Sequence, residues 1–125
     1  MSTNTLQNSL LMEAAFSKTT TRPPVWMMRQ AGRFMPQYWE IKNKYSFLEM
    51  CKTPEIAADV TMLPVDLLGI DAAILFSDIL VTAEAMGGDL SFTQGIGPKF
   101  SNPVRSQAGI NSLTTDVGNK LHYVA

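Results

Sequence analysis

The sequence is poor in the residues that build redox and metal sites, with one cysteine, Cys51, and one histidine, His122, in 125 residues. A lone thiol forms no internal disulfide, and neither residue sits in the Cys/His spacing of a zinc site. Cys51 reads as a small buried hydrophobe and His122 as a helix-surface residue, because no ligand or nucleophile partner lies near either. An excess of charge of one sign is lacking too. Ten Lys and Arg against eleven Asp and Glu leave a formal net charge of −1, which provides no basic field to hold nucleic acid or an anionic membrane. No window approaches the roughly 18 uninterrupted apolar residues of a membrane span. The apolar stretch at Leu10, Leu11 and Met12 has no preceding Lys or Arg and is broken by Glu13, so it makes a poor signal-peptide core. A cytoplasmic chain is expected. Nucleotide motifs are also missing: no GxxxxGK[ST] occurs, and Gly95-Ile96-Gly97-Pro98 lacks the third glycine and the following helix of a dinucleotide fingerprint, so it reads as a loop.

What is present alternates between helical and strand-like patterns. Leu6, Leu10, Leu11, Ala14 and Ala15 recur at helical spacing and predict a helix from about Thr5 to Phe16, ended by the Thr19-Thr20-Thr21 run. Pro23-Pro24 then enforces an extended entry into Val25-Trp26-Met27-Met28, too short for a helix and apolar enough for a buried strand. Pro36 stops or redirects the chain, and Gln37 to Cys51 reads as irregular helical turns. The next helix is better marked. Thr53 can cap it, Pro54 suits its first position, and Glu55 favours the positive end of its dipole. Ile56, Val60, Leu63 and Leu67 form its apolar stripe before Gly69, and Pro64 is expected to kink it. The run Ile70-Asp71-Ala72-Ala73-Ile74-Leu75-Phe76 resembles a parallel strand buried on both faces. Strand, loop, helix, strand is a βα unit, which predicts an α/β class with a parallel sheet. Beyond Gly87 the sequence predicts a short strand at Leu90–Thr93, a turn-rich stretch from Asn102 to Asn119 and the start of a helix at Asp116–Ala125.

Two features carry chemistry. Between Pro23 and Gln37 stand Arg29 and Arg33 with no carboxylate, the first acid being Glu40. Two guanidiniums four residues apart among Trp26, Met27, Met28, Phe34 and Met35 suit an anionic ligand, since Arg forks bind carboxylate or phosphate bidentately and stay charged when partly desolvated. Ala31 and Gly32 keep the backbone between them slim enough for close approach. The other reading of the same residues is a solvated helix face. The second feature is Asp78, a carboxylate closing the apolar run. In parallel sheets reactive groups gather beyond the carboxyl ends of strands, whereas the plainer role is a helix N-cap. Ser77 beside it has no general base and is not read as a nucleophile.

The stretch Pro24-Val25-Trp26-Met27-Met28-Arg29-Gln30-Ala31-Gly32-Arg33-Phe34-Met35-Pro36-Gln37-Tyr38 closely resembles the N-terminal signature of the uroporphyrinogen decarboxylase family. The similarity continues at Cys51-Lys52-Thr53-Pro54-Glu55, at Leu63-Pro64 and through Asp71-Ala72-Ala73-Ile74-Leu75-Phe76-Ser77-Asp78-Ile79-Leu80, with an echo at Leu121-His122-Tyr123-Val124. The resemblance implies the N-terminal portion of a (β/α)₈ TIM barrel, residues 1–125 forming the start of one such domain. It implies a carboxy-lyase that removes carbon dioxide from the four acetates of uroporphyrinogen to give coproporphyrinogen in haem biosynthesis, with no metal or organic cofactor, working as a homodimer. Arg29 and Asp78 would be catalytic, and Arg29, Gln30, Ala31, Gly32, Arg33 and Asp78 would bind the cyclic tetrapyrrole polycarboxylate.

Gln37 stands where the family usually has Glu, a surface-type change. A complete barrel typically needs roughly 250 residues, and the family's later tyrosine, serine and C-terminal histidine have no counterpart here, so the chain is expected to be inactive alone. Two alternatives compete: a related barrel methyltransferase acting with a corrinoid or a thiol, and a non-catalytic tetrapyrrole-binding piece. The paired arginines argue against the methyltransferase, which depends on a late zinc-binding His/Cys set.

Overall fold

The computed structural model describes residues 10–27, 31–93 and 95–124. In chain order they form helices α1 (Leu10–Ala15), α2 (Pro36–Lys42), α3 (Phe47–Lys52), α4 (Pro54–Leu68) and α5 (Val81–Ala85), strands β1 (Leu90–Thr93) and β2 (Gly97–Phe100), helix α6 (Gln107–Asn111) and a 3₁₀ turn at Gly118–Lys120. The chain divides into two units, Met1–Phe76 and Ser77–Ala125. Among the described residues no helix is long and apolar enough to cross a membrane.

In the first unit α4 is the organising element. Pro54 opens it at a position where the missing N–H is not needed, and Gly69 closes it in the left-handed region at φ 62°. Thr53 occupies the N-cap position, but its side chain makes no capping bond. The buried face runs through Ala57, Val60 and Pro64, with Ile56 and Leu63 beside it and Leu67 48% exposed, so the stripe is rotated from the expected Ile56–Val60–Leu63–Leu67 line. Helices α2 and α3 both pack on α4. Pro36 starts α2 at its first turn rather than ending anything, and α3 begins with a capping box: Glu49 N–H donates to the Ser46 hydroxyl while Ser46 N–H donates to Glu49 Oε2 at 2.7 Å. The expected irregular turns over Gln37–Cys51 are thus two short regular helices. Met35, Tyr38, Met50 and Val60 form the core, and Phe76 packs against it, 5.8 Å from Phe47 and 6.2 Å from Tyr38 between ring centroids. Cys51 is buried, as a small hydrophobe would be.

Neither expected parallel strand forms among the described residues. Pro23 to Met27 and Ile70 to Phe76 belong to no helix or strand, with bends at Asp71 and Phe76, and Ile74 and Leu75 are 61% and 45% exposed rather than buried on both faces. A backbone bond from Asp71 N–H to Val25 C=O at 3.0 Å links the two segments. The Asp71 carboxylate takes the Val25 N–H at 2.8 Å, so a side chain occupies a donor that a ladder would use.

The sheet that is present is antiparallel and lies in the second unit. Leu90–Thr93 is a strand as expected, and it pairs with Gly97–Phe100 in the register Leu90 to Phe100 and Thr93 to Gly97, so Gly97 and Pro98 are strand residues and not loop. Pro98 is tolerated because a two-stranded ribbon leaves each strand a free edge. Gly88 lies against this hairpin: a Cβ there would come within 2.5 Å of the Phe100 ring. Asp89 N–H donates to Asn102 Oδ1 at 2.7 Å and Asn102 Nδ2 to Gly87 C=O at 3.0 Å, closing the hairpin base. Two donors meet the end of α5, Lys120 Nζ at the Ala85 carbonyl (2.9 Å) and Thr114 N–H at the Met86 carbonyl (3.1 Å). The sequence reading missed α6, whose signal is the Ser106 hydroxyl accepting from Gly109 N–H at 3.1 Å. The helix expected from Asp116 is only the 3₁₀ turn, and the N-terminal helix is seen as Leu10–Ala15, its expected first turn lying outside the described residues.

Candidate active site

Of the arginine segment, Arg29 and Gln30 lie outside the described residues, and Ala31, Gly32 and Arg33 form a turn leading into α2. Met35 N–H donates to the Gly32 carbonyl at 3.0 Å, and the Trp39 indole Nε1–H donates to the Arg33 carbonyl at 2.8 Å. Ala31 packs against the core, Gly32 is half-buried, and the Arg33 side chain is exposed. Since Ala31 to Phe34 are bends and turns, Arg33 does not belong to a solvated helix face. Its charge reaches the nearby Tyr38 hydroxyl. Burial pushes that phenol above its ordinary value, and the Arg33 guanidinium partly offsets the rise. The turn therefore presents a cation outward while its backbone is tied inward.

A second constellation escaped the sequence reading. Arg22 Nη1 and Nη2 donate to Asp71 Oδ2 and Oδ1 at 2.6 and 2.9 Å, a bidentate pair, and Nη1 also donates to the Pro23 carbonyl at 3.1 Å. With the Val25 N–H at the same carboxylate, three donors converge on Asp71, whose side chain is 14% exposed. The Arg22 hydrogen bonds come first among the causes that hold the Asp71 carboxyl below its ordinary value, and the Val25 N–H adds to them. The available signal was a lone acid interrupting an apolar run, with no local partner because 49 residues separate the two charges.

Asp78 belongs to the second unit and is half-buried. Its Oδ1 accepts from Leu80 N–H at 2.7 Å and its backbone carbonyl from Val81 N–H at 3.3 Å, an Asx turn that leads into α5. The plainer reading thus describes one oxygen of this carboxylate, although the N-cap position itself is held by Leu80, with no side-chain cap. His122 is exposed in a turn, with Nδ1 3.2 Å from the Asn119 carbonyl, and not on a helix. Among the described residues no three His, Cys, Asp or Glu side chains gather as metal ligands would.

A family model described as uroporphyrinogen decarboxylase matches residues 6–125. The chain belongs to the uroporphyrinogen decarboxylase family. Relatives named uroporphyrinogen decarboxylase include one from Chloroherpeton thalassium, 50% identical over 121 residues, covering 96% of this chain and 34% of the relative. Another, from Chlorobium phaeovibrioides, is 52% identical over 120 residues (95% and 34%), and one from Trichlorobacter lovleyi is 54% identical over 106 residues (85% and 31%). The chain thus spans about a third of the length of the curated relatives it matches. Uroporphyrinogen decarboxylase membership embraces both the arginine turn and the Asp78 turn, since both fall within the matched residues.

Proposed function

We propose that a protein carrying this chain at the length of its relatives is a cytoplasmic, homodimeric uroporphyrinogen decarboxylase, in which residues 1–125 begin a single (β/α)₈ barrel. The observation that carries the reading is the identity of about half over 95% of the chain to relatives that bear that name. In this reading Arg29, Gln30, Ala31, Gly32 and Arg33 hold substrate carboxylates, and Arg29 and Asp78 act in catalysis. Breaking the bond between an acetate methylene and its carboxylate leaves an electron pair that needs a sink. Protonating the electron-rich pyrrole creates one, because the resulting cation is conjugated to the methylene. Carbon dioxide then leaves and the pair neutralises the ring; a second proton turns the exocyclic methylene into a methyl group while the ring gives up the first proton and regains its pyrrole form, so each carbon dioxide released takes up one proton net. The pyrrole is its own sink, so the scheme needs no metal or organic cofactor.

Asp78 would accept hydrogen bonds from pyrrole N–H groups and stabilise the cation. Its bond to Leu80 N–H engages one oxygen, and a carboxylate has a second. The Arg33 charge, outward from its turn, suits an octacarboxylate ligand, and guanidinium forks would orient the reacting acetate. Asp78→Asn tests the assignment at full length. The amide oxygen still accepts from Leu80 N–H, so the unfolding temperature should hold, while turnover should fall about 10²–10³-fold with the lost negative charge. Turnover near wild type would make Asp78 a turn residue only.

A further inference from the structure

Helix α5 is five residues long, and helices this short are marginal in water, so its geometry comes from what holds its ends. At its leading end Leu80 N–H donates to Asp78 Oδ1 (2.7 Å) and Val81 N–H to the Asp78 carbonyl (3.3 Å). At its trailing end every carbonyl from Thr82 to Gly87 has a donor. Local backbone serves the first three, with Met86 N–H at Thr82, Gly88 N–H at Ala83 and Gly87 N–H at Glu84, each at 3.0 Å. Later chain serves the other three: Lys120 Nζ at Ala85 (2.9 Å), Thr114 N–H at Met86 (3.1 Å) and Asn102 Nδ2 at Gly87 (3.0 Å).

Two of these later donors are side chains, and each does more than satisfy a carbonyl. Lys120 brings a cation to the negative end of the helix dipole from 35 residues away. Asn102 grips the chain on both sides of Gly88, because its Oδ1 also accepts the Asp89 N–H at 2.7 Å. Gly88 itself has no slack: a Cβ there would meet the Phe100 ring at 2.5 Å and the Ala83 carbonyl at 2.9 Å. The trailing end of α5 is thus held from three later points of the same unit, and its leading end donates to the Asp78 carboxylate. With a rise of only about 1.5 Å per residue between the two ends, a helix that shifts carries the Leu80 N–H, and the carboxylate bonded to it, along. A carboxylate stabilises a developing cation best when it is already in place as the charge forms.

We propose that Lys120 and Asn102 are positioning residues that hold α5 and, through the Leu80 N–H, set the place of the Asp78 carboxylate; the catalytic consequence rests on the reading of Asp78 above. Both residues are exposed, so their replacement opens no core. Amide exchange of the 125-residue chain, followed residue by residue by NMR, tests the hold without substrate. Lys120→Met keeps the stem and removes the donor and its charge, and Asn102→Asp keeps an acceptor for the Asp89 N–H while losing the donor to Gly87. Each should speed exchange at Leu80 and Val81 roughly fivefold, the scale of one lost hydrogen bond. Ile110 N–H in α6 and Gly69 N–H in the first unit should be unchanged, and Lys120→Arg should recover most of the protection. Unchanged exchange at Leu80 and Val81, even with faster exchange at Gly87 and Gly88, would overturn the proposal, since the hold would not reach Asp78. Equal acceleration at Ile110 would also overturn it, because the two residues would then support the whole second unit. At the relatives' length, Lys120→Met should lower kcat roughly fivefold and leave KM unchanged, as the arginine contacts to substrate are untouched. Unchanged kcat beside an Asp78→Asn variant that loses turnover would overturn the positioning role. A silent Asp78→Asn variant would remove the catalytic reading of Asp78 and leave the exchange pattern to decide the hold.

Discussion

Arg33 and Asp71 show two ways of placing a charge. The Arg33 guanidinium stands exposed on a turn whose carbonyl is held by Trp39, and Asp71 sits under three donors with its charge compensated. Absence of nearby acid made the first legible in the sequence. The second was illegible because its partner stands 49 positions away, across five prolines and three helices, and local patterning carries no information about such pairs. A pH consequence follows from the lowered Asp71 carboxyl, to which the Arg22 hydrogen bonds contribute most. A carboxyl held lower in the folded than in the unfolded state stabilises the fold above its unfolded value and loses that contribution as pH falls through its folded value. Wild type should therefore unfold at a higher temperature than Asp71→Asn at pH 7, and the gap should close on acidification below the ordinary aspartate range. Thermal melts across pH check this, and a gap that persists in acid would show that the ion pair is not its source.

Among the elements, α4 was readable to the residue because Pro54 and Gly69 act through backbone constraints that no tertiary context overrides: a ring that fixes φ, and a left-handed closing residue. The segments expected as parallel strands were not readable. An apolar run such as Ala72–Phe76 states that it can be a strand, but a strand exists only when a neighbour completes its ladder, and Val25 and Asp71 share one backbone bond. Burial of α4 depends on its partners as well. Met50 of α3 is fully buried in the cluster with Val60, Tyr38 and Met35. Met50→Ala should lower stability by about 2–5 kcal/mol through lost contacts and a residual cavity, measured by denaturant unfolding. A cost under about 1 kcal/mol would mean that the helices close over the gap.

At the scale of the whole molecule, two units carry the two candidate groups, Arg33 in Met1–Phe76 and Asp78 in Ser77–Ala125, and the family match embraces both. The family was legible because its motifs are long ordered strings such as Arg29-Gln30-Ala31-Gly32-Arg33, whose identity survives without any contact being known. The expected barrel does not appear among the described residues: closing a sheet needs strands that pair around its full circumference, and this chain spans about a third of the relatives' length. The most direct measurement follows reduced uroporphyrinogen by chromatography in the presence of a protein that carries this chain at the relatives' full length. Stepwise loss of carboxylates ending in coproporphyrinogen is expected, with no turnover when the 125 residues are supplied alone. No coproporphyrinogen above a protein-free control from the full-length protein would contradict it.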